Sequence, residues 1–352
     1  MATNVIVTIT LCILSILFPK SKIVCLSFFA FMWTLWGFNM WNGDYIAYML
    51  EYQYPEWDTI EIGYRALCSL FSSWLPYQKF LMVVSGIILS TFCYWGVKHT
   101  KYPAFFALIY FPMFIMEFVY LRNYIALTLL FFATFRLIYK NGNLLVSLFL
   151  VLLATTVHVF SICYFPVILL LKYNINYKYL LALLTIGTVM ILTLNQFVFQ
   201  NSSYIASKVY YYTQEGSNRI SLTTPFHCIV VLICYYTYKN TELMTLKSDI
   251  ILKRYVNFNI LSLILVPIYI ILPFTASRSL RILLVIDMFF YLNLFYNSLA
   301  RTRIFSILGL LFILASVGYI FTGQTFNYVL APLYHCNLIW GYDPNYQLFF
   351  TR

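Results

Sequence analysis

The sequence predicts an all-α, polytopic integral membrane protein that forms a single membrane domain over residues 1–352. The chain is 62% hydrophobic and only 9% charged, with a mean hydropathy of +0.81. Soluble domains carry about 25% charged residues, so this composition is typical of a chain embedded in lipid. The apolar residues are also grouped into long segments, and a helix needs about 20 residues to cross a bilayer. These segments are residues 5–18, 23–40, 80–97, 103–121, 125–139, 144–171, 179–199, 225–238, 256–274, 282–299 and 304–321.

The segment 144–171 is too long for one ordinary span and carries His158 near its middle. We predict two short helices that meet near His158, one of which is allowed to be re-entrant because protein can bury its irregular backbone. With this break, the basic residues of the connecting loops fall on one side, as the positive-inside rule requires. They are Lys20, Lys22, Lys98, Lys101, Lys140, Lys172, Lys178, Lys239, Lys247, Lys253, Arg254, Arg301 and Arg303.

This topology gives about 11–12 transmembrane helices, with both termini on the outer side. Segment 5–18 has no basic region before it and no small-residue cleavage site after it, so we expect a retained span rather than a cleaved signal. The net charge of +11 is explained by topology and contact with anionic lipid. Membrane lipid is therefore the expected surrounding partner, and no nucleic acid is expected.

The eight cysteines lie mostly within apolar segments and show no metal-binding or redox spacing. They are typical of small buried hydrophobic side chains. The sequence also contains no Gly-rich phosphate loop, no HExxH and no GxSxG motif. We therefore expect no metal and no cofactor, and any phosphate that the protein handles must be bound by arginines.

Three hydrophilic stretches are predicted outside the membrane and are candidate site regions: residues 41–78, 200–224 and the tail 323–352. The first stretch is rich in acidic residues and tyrosine. On a helix, Asp44, Tyr48 and Glu51 share one face. Such a surface suits sugar rings, which stack on aromatic rings and donate hydrogen bonds to carboxylates. The alternative is an ordinary interfacial belt, in which Tyr and Trp are enriched.

Several cationic or titratable residues converge on the predicted outer side. A charge among apolar residues is costly, so Arg122 between two apolar segments marks a candidate functional pathway. Arg278 and Arg281 are three residues apart and share a helix face, just after Pro273. Because the planar guanidinium binds phosphate oxygens at two points, this cluster suits a lipid-linked pyrophosphate. The set comprises Arg122, His158, Arg219, Arg278 and Arg281.

Each of these residues also has a purely structural interpretation. Arg122 could cap a helix hairpin and extend to the interface, paired with Glu117. His158 could be a hydrogen-bonded core histidine. Arg278 and Arg281 could be interfacial anchors.

The motifs Asp44-Tyr45, Glu61-Ile-Gly-Tyr64, Leu121-Arg-Asn-Tyr-Ile-Ala126, His158-Val-Phe-Ser161 and Arg278 occur in this order. In a polytopic chain of this length, the series resembles the Wzy/EpsG group of bacterial surface-polysaccharide polymerases over roughly residues 40–285. Members of that group typically show an acidic-aromatic first outer loop with an E-x-G-Y-like motif, an R-Q/N-x-x-A motif that opens a helix, and a central His followed by Ser. Asn123 stands where Gln is common, which preserves an amide.

The resemblance implies a metal-independent glycosyltransferase that polymerises O-antigen or exopolysaccharide repeat units. It implies that the growing glycan leaves its undecaprenyl pyrophosphate and joins the non-reducing-end hydroxyl of a new lipid-linked unit. The implied location is the bacterial inner membrane, with the site facing the periplasm or cell exterior. The expected partners are undecaprenyl-pyrophosphate-linked oligosaccharides, and a chain-length regulator and a flippase of the same pathway are candidate protein partners.

The reaction needs cations for the leaving pyrophosphate and a base for the acceptor hydroxyl. We expect Arg122, Arg278 and Arg281 to hold the pyrophosphate, and Arg219 to steer it. Both Glu61 and His158 remain candidates for the base or for an acceptor-positioning group. The candidate substrate-binding residues are Asp44, Tyr45, Tyr64, Tyr124 and Arg219.

Two alternative functions remain open. An O-antigen ligase, or another glycosyltransferase with a lipid-linked donor, would use the same arginines and differ only in its acceptor. A transporter of lipid-linked oligosaccharides would distribute charged residues through the depth of a central cavity. The sequence shows no internal repeat of the kind found in many transporters.

Overall fold

The computed structural model describes residues 2–56, 60–140, 142–173, 223–240, 250–271, 273–297, 300–320 and 329–342, which are almost entirely helical. An α-helix satisfies its own backbone hydrogen bonds, which is required of segments that lie in hydrocarbon. The helices are α1 (Ala2–Leu17), α2 (Lys22–Gly37), α3 (Tyr45–Gln53), α4 (Ile62–Ser72), α5 (Tyr77–His99), α6 (Pro103–Glu117), α7 (Leu121–Lys140), α8 (Leu144–Val157), α9 (Tyr164–Tyr173), α10 (Thr223–Lys239), α11 (Ile250–Ser262), α12 (Val266–Ile271), α13 (Pro273–Asn297), α14 (Ala300–Ile320) and α15 (Ala331–His335).

The predicted fold class, an all-α polytopic membrane protein, is confirmed. Among the described residues, Tyr77–His99 and Leu121–Tyr139 are both long and apolar enough to cross a bilayer, and several shorter apolar helices accompany them. The count of 11–12 spans stays a prediction, since the apolar segment 179–199 lies outside the described residues.

The predicted break at His158 is confirmed. Helix α8 ends at Val157, and His158 follows with extended backbone at φ −148° and ψ 107°. A 3-10 turn at Val159–Cys163 then leads into α9. The turn begins with a hydrogen bond from the Ser161 amide to the His158 carbonyl, 3.0 Å. The chain therefore reverses direction at His158 within an otherwise continuous apolar segment.

Aromatic packing holds the helices together. Helix α2 packs between α5 and α6, α7 packs along α8, and α13 packs along α14. The Trp36 ring of α2 stacks on the Tyr124 ring of α7, with centroids 4.9 Å apart. Aromatic pairs in such offset arrangements add roughly 0.5–1.5 kcal/mol each beyond the burial of their surfaces. The start of α7 is thereby fixed against α2.

The bundle has two chemically different ends. We call the surroundings of Arg122, at the start of α7, the arginine end. We call the surroundings of Lys20, Lys22, Lys98 and Lys101 the lysine end, because these four side chains line one pocket together with Tyr139 near the end of α7. Arg122 and Tyr139 are 17 positions apart, or about 25 Å along the helix.

The chain near its C-terminus folds back against the first two helices. Strands β1 (Cys336–Asn337) and β2 (Gly341–Tyr342) form a short antiparallel hairpin. The Asn337 amide donates to the Thr34 and Leu35 carbonyls, both at 2.9 Å. Gly341 adopts φ +120°, a conformation that glycine tolerates because it has no Cβ. Residues 329–342 therefore lie at the C-terminal end of α2, at the same end of that helix as the loop 41–78.

Candidate functional site

Arg122 is the second residue of α7 and follows the short connection from α6. The Tyr120 amide donates to the Glu117 carbonyl, and the Tyr124 amide donates to the Tyr120 carbonyl, both at 2.9 Å. These bonds close a tight turn between the two helices. Arg122 thus projects from a helix start that is anchored on both sides, as the sequence predicts for a residue at a hairpin.

Two carboxylates hold the Arg122 guanidinium. Its Nη1 donates to Glu61 Oε2 at 2.6 Å and lies 3.5 Å from Glu51 Oε1. The Arg122 side chain is 21% exposed. The suggested pairing of Arg122 with Glu117 is wrong, because the loop 41–78 supplies carboxylates that approach Arg122 directly.

The loop also surrounds Arg122 with aromatic rings. The guanidinium carbon lies 5.4 Å from the Tyr48 ring centroid and 5.7 Å from that of Tyr64. Such cation–π contacts are worth about 2 kcal/mol when they are desolvated. Burial raises the pKa of the Tyr64 hydroxyl well above its ordinary value and that of the neighbouring Cys68 thiol to about 12. Both groups therefore stay neutral, and the anionic groups that the described residues place next to Arg122 are the two carboxylates.

Gly63 allows the loop 41–78 to approach the membrane helices closely. A Cβ on Gly63 would lie 2.8 Å from Thr156 Cβ and 2.9 Å from the Thr156 carbonyl carbon. Real Cβ atoms do not approach other carbon atoms this closely, so only glycine lets α4 pack on α8 here. In the motif Glu61-Ile-Gly-Tyr64, Glu61 pairs with Arg122, Gly63 permits the close approach, and Tyr64 packs beneath the guanidinium.

A second ion pair lies deeper in the protein. Arg281 Nη1 donates to Glu117 Oε1 at 3.0 Å, and the Asn123 amide donates to Glu117 Oε2 at 2.9 Å. The Arg281 side chain is 3% exposed, and its guanidinium carbon lies 5.0 Å from the Tyr120 ring centroid. Arg281 Nε is buried without a hydrogen-bond acceptor among the described residues. This pair joins α13 to the α6–α7 connection.

Asn123 connects this ion pair to His158. Its side chain lines a narrow cleft with His158, Ser161 and Ile282, among others. The cleft measures about 20 Å³, which is room for one water-sized group. His158 is largely buried there, and its ring lies 5.8 Å from the Phe160 ring. The consecutive residues Arg122 and Asn123 therefore contact two different clusters that meet at the start of α7.

Comparison with known protein families identifies the family of this chain. Residues 22–334 match the model of the EpsG family. The chain belongs to the EpsG family. This is a Wzy-like polysaccharide polymerase family, so the predicted resemblance is confirmed and the protein is a membrane-embedded, glycosyltransferase-like polysaccharide polymerase. No curated protein and no solved structure matches the chain.

Within this EpsG-family protein, the structure brings together four of the predicted site residues: Arg122, Glu61, His158 and Arg281. Tyr64 belongs to the same region as a buried support for Arg122. The helix α13 contains Arg278, but its side chain lies outside the described part of the structure. Arg219 lies outside the described residues altogether. Their predicted roles stay predictions.

The other three predicted substrate-binding residues with described side chains are Asp44, Tyr45 and Tyr124. Asp44 is half-buried at the start of α3. The Tyr45 hydroxyl donates to Gln78 Oε1 at 3.0 Å, and its ring packs edge-on against Tyr77. Tyr124 is fully buried, and its hydroxyl hydrogen-bonds to that of Tyr110. In this conformation Tyr124 is a core residue, and the predicted sugar contacts are untested.

The structure adds Glu51, Tyr48 and Asn123 to the candidate EpsG-family site. Tyr48 and Glu51 share a helix face with Asp44, so helical periodicity already pointed to that face as a surface for a ligand. The structure shows that Tyr48 and Glu51 contact Arg122. In the sequence, Asn123 is recognisable only as the amide of the motif Leu121-Arg-Asn-Tyr-Ile-Ala126. Its contact with Glu117 depends on how two helices approach, which no local pattern reveals.

A further buried polar chain lies between α10, α11 and α13. His227 Nε2 and Ser262 Oγ are 2.7 Å apart, and Ser262 Oγ donates to the Asn259 carbonyl at 2.6 Å. The Asn259 amide in turn donates to Asp287 Oδ1 at 2.6 Å. All four side chains are fully buried. The described contacts place Asp287 in a structural network rather than beside Arg122 or Arg281.

Among the described residues, no group of three or more His, Cys, Asp and Glu is placed to hold a metal ion. That the mechanism is metal-independent remains a prediction, which a measurement of the reaction without metal ions would test.

Proposed function

We propose that this EpsG-family polymerase joins polysaccharide repeat units carried on undecaprenyl pyrophosphate, at the outer face of the bacterial inner membrane. The observation that carries the proposal is the Arg122 cluster. A partly exposed guanidinium is held by two carboxylates at a helix start, in a family of polysaccharide polymerases. A positioned arginine of this kind suits the charge that develops on a leaving pyrophosphate.

In the proposed reaction, the bond between the donor sugar C1 and its pyrophosphate oxygen breaks. A new glycosidic bond forms between C1 and the acceptor hydroxyl oxygen, the hydroxyl proton passes to a protein base, and the lipid pyrophosphate leaves. Arg122 binds the pyrophosphate oxygens through the part of its guanidinium that remains accessible. Glu51 and Glu61 keep that guanidinium in place before the substrate arrives, which lowers the entropy cost of binding.

We assign the base to His158 rather than to Glu61. Glu61 Oε2 already accepts a hydrogen bond from the Arg122 guanidinium at 2.6 Å, so this oxygen is engaged in holding Arg122. His158 lies in a cleft of about 20 Å³ beside Asn123 and Ser161, and a neutral imidazole is suited to accept a proton near neutral pH. A single hydroxyl is about the size of group that this cleft admits.

Arg281 is proposed to act with Arg122 from deeper in the protein. Its Nη1 pairs with Glu117, and its Nε–H has no acceptor among the described residues. This Nε–H is a donor for a phosphate oxygen or for a residue that moves on substrate binding. Arg278, three positions earlier on α13, is proposed as the third phosphate-binding arginine.

The test is elongation by the purified protein in lipid nanodiscs, supplied with synthetic undecaprenyl-pyrophosphate-linked repeat units. We expect a ladder of longer glycans in the presence of EDTA, with release of undecaprenyl pyrophosphate and with newly added, labelled units at the reducing end. A requirement for a nucleotide-sugar donor would contradict the proposed donor. With lipid A-core added as a second acceptor, transfer of single units to it without longer chains would instead indicate a ligase.

A further inference from the structure

An apolar groove runs along the outside of the bundle between α2 and α5. Its volume is about 990 Å³, and it is lined by apolar side chains that include Leu26, Val83 and Ile87, each 42–63% exposed. Trp33 forms part of its wall, with its indole N–H donating to the Met82 carbonyl at 2.9 Å. From Met82 to Val97 the groove follows about 22 Å of α5, which exceeds the roughly 15 Å depth of one bilayer leaflet.

The groove adjoins the pocket at the lysine end. Val97 lines both the groove and the pocket, which measures about 520 Å³. Tyr94, another groove residue, accepts a hydrogen bond from Lys98 Nζ at 2.5 Å. The apolar groove and the basic pocket therefore adjoin each other along the last turns of α5.

The pocket has the charge of an anion-binding site. Its described lining includes four exposed lysines, Lys20, Lys22, Lys98 and Lys101, and contains no carboxylate. Hydrogen-bonding groups at its inner wall include the Asn293 amide and the Tyr139 and Tyr255 hydroxyls, which are bonded to one another at 2.8–3.1 Å. Several ammonium groups around one concave surface favour a phosphate rather than a neutral headgroup.

We propose that the groove and the adjoining pocket together bind one anionic phospholipid of the surrounding membrane, with its phosphate headgroup in the lysine pocket and its acyl chains in the groove between α2 and α5. The apolar groove selects a lipid over a soluble phosphate, since only a lipid fills both parts. The four lysines select an anionic headgroup, because each lysine near an anionic lipid contributes about 1 kcal/mol, or roughly a fivefold change in affinity. The site is about 25 Å from Arg122 along the bundle and does not depend on the proposed reaction.

Native mass spectrometry of the full-length, delipidated protein tests this site. The probes are palmitoyl-oleoyl phosphatidylglycerol, the phosphatidylcholine with the same chains, and soluble glycerophosphate. We expect one phosphatidylglycerol to bind at least about tenfold more tightly than either of the other two, as two or more lysine contacts of this strength require. Equal binding of the two lipids would overturn the anionic site. Glycerophosphate binding as tightly as the lipid would overturn the role of the groove.

Variants separate the headgroup pocket from the groove. Lys98→Gln combined with Lys101→Gln should weaken phosphatidylglycerol binding about 25-fold, at fivefold per lysine. Ala30→Trp or Ser90→Trp should also weaken it, because both positions are exposed and line the groove. Lys79→Gln, an exposed lysine at the opposite end of α5, is the matched control and should leave binding unchanged. An equal loss in the Lys79→Gln variant would show that general surface charge binds the lipid and would overturn the proposal.

Discussion

The cations at the two ends of the helix bundle lie in different surroundings. At the arginine end, Arg122 and Arg281 are held by carboxylates at 2.6–3.5 Å and flanked by tyrosine rings. At the lysine end, four exposed lysines line a pocket whose described lining contains no carboxylate. A cation fixed between carboxylates has one orientation, whereas a lysine on a flexible stem adapts to whatever anion approaches. The first arrangement suits catalysis and the second suits lipid binding.

The cost of desolvation sharpens this difference. A buried ion pair is favourable mainly because each partner compensates for the burial of the other. Arg281 and Glu117 are both nearly inaccessible, so each depends on its partner. The four lysines are exposed and keep much of their hydration, so their stability depends less on any partner. Substitutions at the two ends should therefore have effects of very different size.

The largest effect is expected at the buried pair. Glu117→Ala leaves the Arg281 guanidinium buried and uncompensated, which costs about 3–5 kcal/mol, so the thermal unfolding temperature in detergent should fall sharply. The double variant Glu117→Leu with Arg281→Leu should recover most of this stability, because no charge then remains buried. A Glu117→Ala variant as stable as the wild type would mean that the pair is not buried in the native protein.

A smaller effect is expected where the acidic loop meets the membrane helices. Gly63→Ala places a methyl group against Thr156 and should cost about 1–3 kcal/mol, as overpacking does. It should also lower the polymerisation rate, because Glu61 immediately precedes α4 and moves with it. Gly318→Ala is the matched control, since the added Cβ would meet no atom of the described residues within 4 Å outside its own helix backbone and chain neighbours. Unchanged activity and stability for Gly63→Ala would show that α4 does not pack on α8 as described.

The two carboxylates at Arg122 should differ from each other. Glu61→Ala removes the partner at 2.6 Å and should lower kcat about 10- to 100-fold, the range expected when a catalytic group is displaced by about 1 Å. Glu51→Ala removes the partner at 3.5 Å and should have less than a tenfold effect. Rates measured at matched expression, with folding checked by gel filtration, give the comparison. A larger loss for Glu51→Ala would reverse the assignment of the primary partner.

The smallest effect is expected at the lysine end. Lys98→Gln in lipid-free detergent should change the unfolding free energy by no more than about 0.5 kcal/mol, as is usual for exposed residues. Its contact with Tyr94 is on the surface, so its loss exposes nothing buried. Thermal unfolding without added lipid provides the measurement, and a drop as large as that of Glu117→Ala would remove the contrast between the two ends.

Part of this picture followed from the sequence because it depends on local composition. The membrane class, the break at His158 and the grouping of Lys20, Lys22, Lys98 and Lys101 all follow from apolar segment length and from where lysines interrupt the segments. Hydrophobic segment length and loop charge are properties of the chain that do not require knowledge of tertiary contacts.

The ion pairs could not be predicted from the sequence, because their partners are far apart in the chain. Arg281 and Glu117 are separated by 164 positions, and Arg122 and Glu61 by 61. Helical phase argues against a sugar contact for Tyr124. A residue two positions further along an α-helix is rotated by about 200° around the helix axis. If Arg122 faces the acidic loop, Tyr124 must face away from it, and the structure places Tyr124 against Trp36 in the core.

The most direct test of the central claim is the polymerisation rate of two purified variants, measured side by side on the same lipid-linked repeat unit. The variants are Arg122→Gln, at the arginine end, and Lys98→Gln combined with Lys101→Gln, at the lysine end. Our account predicts a loss of at least about 100-fold for Arg122→Gln, the size typical of losing one stabilising donor, and a rate close to that of the wild type for the lysine variant. A stably folded Arg122→Gln variant with the wild-type rate would contradict it.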